Sequence, residues 1–164
     1  FEQKLQLDEG ITIGADRLLD IATRERRATQ EEFRRAASRV NGGDPLYLAH
    51  WMRESGLAEL LPSLAGLVYV GLSAGSMVMT PSVGADFVGW EPPAGGDSAL
   101  GVVDFSIFPH LDDPDCPENS MAEAERWAAG IGRPAYAIDG QTAIKVVDGT
   151  VEVISEGNWR LFNA

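Results

Sequence analysis

Cysteine is nearly absent from this chain of 164 residues, with Cys116 its single example. That excludes an internal disulfide and any zinc site built from several thiolates. Histidine is almost as scarce, so a reaction that needs an imidazole base must use His50 or His110. Basic residues are outnumbered 25 to 13 by acidic ones, leaving a formal net charge of −12 and a pI near 4.4. Such a balance disfavours nucleic acid or an anionic membrane as the main partner. No apolar run reaches the length of a membrane span, and no secretory signal is recognisable in a chain that opens on Phe1 rather than Met. These absences point to the cytoplasm.

What remains is an ordinary globular mix, 45% apolar and 23% charged, in a chain long enough to bury one real core. The stretch that organises it is Leu67-Val68-Tyr69-Val70-Gly71-Leu72-Ser73-Ala74-Gly75. Four apolar residues rich in β-branched and aromatic types predict a short buried strand. They run into Gly-x-Ser-x-Gly, and the Met77-Val78-Met79 run beyond suits a helix. A serine between a strand and a helix, flanked by glycines that permit a sharp turn, has the context of a nucleophile elbow. The next amide, that of Ala74, is then placed to donate to an oxyanion.

Residues 1–40 differ from the rest, with helical spacing over 16–22 and a second helix predicted from Thr29, a plausible N-cap. The six arginines between Arg24 and Arg39 are interspersed with glutamates, which reads as a solvated helix face rather than a basic nucleic-acid surface. The second region, 41–164, begins with the turn cluster Asn41-Gly42-Gly43-Asp44-Pro45 and a helix closed at Gly56. Paired glycines before a helix expose amides to an anion. After the Ser73 stretch comes a Gly- and Pro-rich surface loop over 81–101, placed either to cover a site or as an idle excursion. A strand over 100–108, a helix over 118–129, a strand over 135–138, a hairpin turning at Asp148-Gly149 and a last short strand over 159–162 complete the pattern. This order predicts an α/β domain with a mostly parallel central sheet flanked by helices and a C-terminal β-hairpin.

Ser73, His110 and Asp139 all fall at carboxyl ends of predicted strands, the edge where open α/β sheets place their chemistry. A serine needs a neighbouring base, and His110 suits that role better than His50, which lies mid-helix beside Trp51. Read structurally instead, His110 is a loop histidine paired with Asp112 or Asp113. Asp139 is placed to orient the imidazole; Asp86, Asp97 and Asp104 are rivals if the acid precedes the histidine. Asp112, Asp113 and Asp115 beside His110 match no recognised metal-site spacing. Cys116, in an acidic loop, lacks the positive surroundings of a reactive thiol.

Four stretches, Asn41 to Leu48, Val70 to Ser76, Phe108-Pro109-His110 and Ala137 to Ala143, together resemble dipeptidase E, the α-aspartyl dipeptidase, and its relative cyanophycinase. These are serine peptidases on a fold similar to class I glutamine amidotransferases. The resemblance implies that Ser73 is the nucleophile and His110 the base, with amides of Gly42 or Gly43 and of Ala74 as the oxyanion hole. It implies hydrolysis of dipeptides with N-terminal aspartate and no cofactor. A substrate carboxylate would need a cation, for which Arg53, Lys145 and Arg160 are candidates. Two departures stand out. The family's N-terminal strand–helix units are reduced here to about 40 residues, which leaves a sheet edge open to homodimerisation. The family's acidic third residue aligns with Gly140, one position after Asp139. Both departures supply the alternative, a degenerate relative acting as a binding or interaction module.

Overall fold

The computed structural model describes Arg17, residues 43–64 and residues 66–164; the expected helical pair of residues 1–40 and the Gly42 amide lie outside them, apart from Arg17 in a helix. Gly43–Ala164 form one unit. Its first helix, α1 (Pro45–Glu54), starts where the sequence dictates. The Asp44 carboxylate accepts from the amides of Leu46 and Tyr47 at 2.8 and 2.9 Å, and Pro45 occupies the first turn, where no amide is needed. Ser55 and then Gly56, at φ 74°, close it, and a single further turn follows as α2 (Leu57–Leu60). α1 buries Leu46, Ala49 and Met52 against Met77, Val78, Met79, Val83 and Ala99. Met77 belongs to α3 (Ala74–Met77), the one-turn helix after Ser73.

A second core is built around a short βαβ unit. Strand β1 (Ser106–Phe108) is buried along its whole length. Helix α4 (Met121–Ile131) is capped by Ser120, whose hydroxyl accepts from the Glu123 amide, and is closed by Gly132 at φ 65°. Strand β2 (Ala135–Ile138) then returns parallel to β1, pairing Ser106 with Ala135 and Phe108 with Ala137. Small residues allow helix and strand to approach closely: Ala124 and Ala128 on α4 meet Ala135 and Ala137 on β2, with Trp127 filling the space toward Phe108. The hairpin of β3 (Thr142–Val147) and β4 (Thr150–Ser155) turns at Asp148 and Gly149, both at positive φ, as a two-residue turn of this sequence requires. Strand β5 (Trp159–Phe162) finally adds antiparallel to β2.

The sheet β1-β2-β5 is therefore mixed, with one parallel and one antiparallel pair, and not mostly parallel as the sequence pattern suggested. After β2 the chain passes through the β3–β4 hairpin without a crossover helix and returns as β5 antiparallel to β2. Residues 67–70 do not form the expected buried strand. Val68 and Val70 are 81% and 79% exposed, and among the described residues no strand pairs with them. Residues 100–105 are also not strand, because the amides of Leu100, Gly101 and Val102 donate to carbonyls of Val78, Thr80 and Met79 instead. The 81–101 loop is structural. Its Phe87 packs against both cores, its Trp90 amide donates to Asp44 at 2.6 Å, and the Val83 carbonyl accepts from the Trp127 indole at 2.9 Å.

Candidate active site

Ser73 sits between the extended segment 67–72 and α3 with φ 51° and ψ −125°, a conformation L-residues rarely adopt. The glycines on either side explain how it is held. A Cβ at Gly71 would come within 2.7 Å of the Ser76 amide nitrogen and closer still to the Gly75 carbonyl, so only glycine lets the chain double back here. The Leu72 carbonyl accepts from the Gly75 amide at 2.8 Å, and the Ser73 carbonyl accepts from the Ser76 amide at 2.8 Å. The Tyr69 hydroxyl donates to the Gly75 carbonyl at 2.7 Å. Burial pushes the Tyr69 phenol above its ordinary pKa. These contacts leave the Ser73 side chain facing outward. Ala74, itself buried, occupies the first helical position, where helices leave amides without an internal acceptor.

His110 reaches Ser73 from the other core. It follows β1 through Pro109, at φ 57°, and its Nε2 lies 2.9 Å from Ser73 Oγ. The loop beyond it is braced at several points. The Leu111 amide donates to the Ile138 carbonyl, the Asp112 amide to the Asn119 carbonyl, and the Asn119 side chain to the Pro109 carbonyl. Leu111 is buried, anchoring the loop in the second core. His50 packs its ring against Trp51 and Trp90, with centroids 5.2 and 5.1 Å apart.

Asp139 is not brought to the imidazole; no hydrogen bond or ion pair joins it to His110. Its carboxylate accepts from the Gln141 amide at 3.0 Å, the Thr142 hydroxyl at 2.7 Å and the Asn158 amide at 2.5 Å. It thus ties the turn after β2 to the entry of β5. A side chain at Gly157 would collide with it. Partial burial pushes the Asp139 pKa up, but the bonds from Asn158, Thr142 and Gln141 outweigh that and hold it below the usual carboxylate range. The rival Asp97 is likewise engaged, with Ser82 and the Gly84 amide, while Asp86 and Asp104 face solvent. The carboxylate facing the other imidazole nitrogen is Asp113, with Oδ2 3.6 Å from Nδ1. Its spacing, three residues after the histidine across a turn, was the signal available in sequence.

An open cleft of about 510 Å³, lined from Leu111 onward but not by His110 or Ser73 themselves, has four acidic residues in its wall, Asp112, Asp113, Asp139 and Glu156, together with Gly140 and Asn158. The expected cations are occupied elsewhere. Arg53 donates to the Ala99 carbonyl, Lys145 pairs with Glu152 at 2.9 Å, and Arg160 pairs with Glu125 at 2.7 Å. Burial, Asp113, Glu118 and Asp115 all push the Cys116 thiol up, away from reactivity. Among the described residues, no group of three or more His, Cys, Asp or Glu side chains is placed to hold a metal ion. No helix among them is long and apolar enough to cross a membrane.

A serine hydroxyl at hydrogen-bond distance from an imidazole, on a strained turn before a helix, has the geometry of a hydrolase centre. The model of peptidase family S51 matches residues 17–154, and the chain belongs to that family. It is 30% identical over 135 residues to a Drosophila melanogaster protein named as an alpha-aspartyl dipeptidase, a match covering 76% of this chain and 55% of that one. It is 28% identical over 113 residues to an uncharacterised peptidase of Pasteurella multocida (strain Pm70), covering 65% of this chain and 54% of the other. The chain thus spans about half the length of these relatives. A crystal structure of a Listeria monocytogenes EGD-e protein carrying a peptidase E designation shares the fold. Its TM-score is 0.53 at 22% identity, over 70% of this chain and 56% of that one.

Proposed function

We propose that this chain carries the nucleophile and base of a serine peptidase that hydrolyses short peptides, dipeptides with N-terminal aspartate among them. The observation that supports this most is the 2.9 Å contact between Ser73 Oγ and His110 Nε2. Such a contact lets the imidazole take the hydroxyl proton as the oxygen attacks a peptide carbonyl. The turn at Ser73 acts as a nucleophile elbow, and its φ of 51° is the strain that membership of such a turn entails. In this reading the Ala74 amide stabilises the tetrahedral oxyanion, joined by the Gly43 amide that the family resemblance implies. His110 then returns its proton to the leaving amine, and water resolves the acyl-enzyme.

The acidic cleft that begins at Leu111, next in the chain to His110, offers negative charge to the ammonium group of a peptide with a free N-terminus. Preference for an aspartyl residue rests on the family resemblance, since Arg53, Lys145 and Arg160 are engaged elsewhere. The contact between Ser73 and His110 favours this reading over a non-catalytic binding module. Turnover of a panel of Asp-Xaa dipeptides tests it. Ser73→Ala should reduce hydrolysis to background and leave the thermal unfolding midpoint unchanged; retained turnover would refute the assignment.

A further inference from the structure

We infer that Asp113 is the positioning residue of the imidazole, orienting His110 from within its own loop. This rests on the reading of Ser73 and His110 as nucleophile and base. To accept a proton from the serine, Nε2 must present its lone pair, so the neutral ring must carry its proton on Nδ1. Something must therefore accept from Nδ1. Asp113 Oδ2 lies 3.6 Å from that nitrogen. Asp139, at the end of the neighbouring strand, spends its carboxylate on Gln141, Thr142 and Asn158.

The loop geometry holds Asp113 in this role. The Asp113 amide donates to the His110 carbonyl at 3.2 Å, closing a turn that folds the aspartate back beside the ring. The Asp115 amide donates to Asp113 Oδ1 at 2.9 Å, which fixes the carboxylate plane and leaves Oδ2 for the imidazole. The adjacent Asp112 is turned to other work: at φ 52°, it accepts from the Met121 amide at the start of α4. A separation of 3.6 Å is longer than a hydrogen bond. It is short enough for attraction to the imidazolium that forms as the serine is deprotonated, and such contacts commonly tighten only in the reacting complex. The two side chains are 39% and 31% exposed, so solvent weakens the pair relative to a buried one. A buried triad acid is worth about 10⁴-fold; here a loss of about 10- to 100-fold is expected.

The experiment combines imidazole ¹⁵N spectra of neutral His110 with the rate of fluorophosphonate labelling. Two histidines make assignment direct, using His50→Gln. In the unaltered protein the proton should reside on Nδ1. Asp113→Asn, whose amide can donate to Nδ1, should move that proton toward Nε2 and slow labelling about 10- to 100-fold. Asp113→Glu should restore part of both. An Nε2–H tautomer in the unaltered protein would overturn the inference, and so would Asp113→Asn labelling at the original rate. Failure of the peptidase reading looks different: the unaltered protein would not label at all, while the tautomer would still report on Asp113.

Discussion

His110 follows a strand whose three residues are all buried, whereas Ser73 follows four apolar residues that are 42–81% exposed. The two groups that meet at 2.9 Å are therefore carried by unequal scaffolds. On the histidine side, sheet pairing, α4 and a loop fastened to Ile138 and Asn119 fix the ring. On the serine side, position depends on local features: the close approach of Gly71 to Gly75, the Tyr69 hydroxyl on the Gly75 carbonyl, and α3 anchored by Met77 in the first core. Among the described residues, the turn at Ser73 is specified without a strand paired to the segment before it. The turn is a local object, set by glycines and a helix start.

Truncations on the two sides should expose this asymmetry, and the largest effect is expected at Trp127. It is 3% exposed, packs edge-on to Phe87 and Phe108, and its indole donates to Val83. Trp127→Ala should cost about 3–5 kcal/mol, read as a shift in the denaturant midpoint. A smaller effect is expected at Asp139→Asn, about 1–2 kcal/mol at neutral pH, from bonds to a charged acceptor. Because the folded-state pKa of Asp139 is lowered, its stabilising contribution is present above the unfolded pKa of an aspartate and is lost as pH falls through the folded value. The difference between Asp139→Asn and the unaltered protein should therefore shrink on acidification, which unfolding curves at neutral and acid pH would show. The smallest effect is expected at Val70→Ala, within about 0.5 kcal/mol, since the side chain is 79% exposed. A loss at Val70 comparable to that at Trp127 would mean that residues 67–70 are packed after all.

The same contrast explains what could be read in the sequence. The turns were legible because their determinants are adjacent: Pro45 and Gly56 bounding α1, Asp148 and Gly149 turning the hairpin; the Ser120 cap, by contrast, starts α4 at Met121 rather than at the expected Glu118. The meeting of Ser73 with His110 was anticipated from the scarcity of histidine, although the residues before Ser73 are not strand and the third expected member, Asp139, is engaged elsewhere. Residues 67–70 carry a buried strand's composition, but burial is set by neighbours, and none is supplied among the described residues. The direction of β5 was hidden because antiparallel return follows from the hairpin's position in space, not from the composition of Trp159–Phe162. Asp139 and Asp113 look alike in sequence; only the amides of Gln141 and Asn158 on one, and the turn back to His110 on the other, distinguish them.

The proposed peptidase chemistry depends on Ser73 being an activated nucleophile. Labelling with a fluorophosphonate followed by peptide mapping tests that most directly. The predicted result is a single modified residue, Ser73, with modification lost in Ser73→Ala and in His110→Ala. Modification of another serine, or a folded protein that resists the probe altogether, would contradict it.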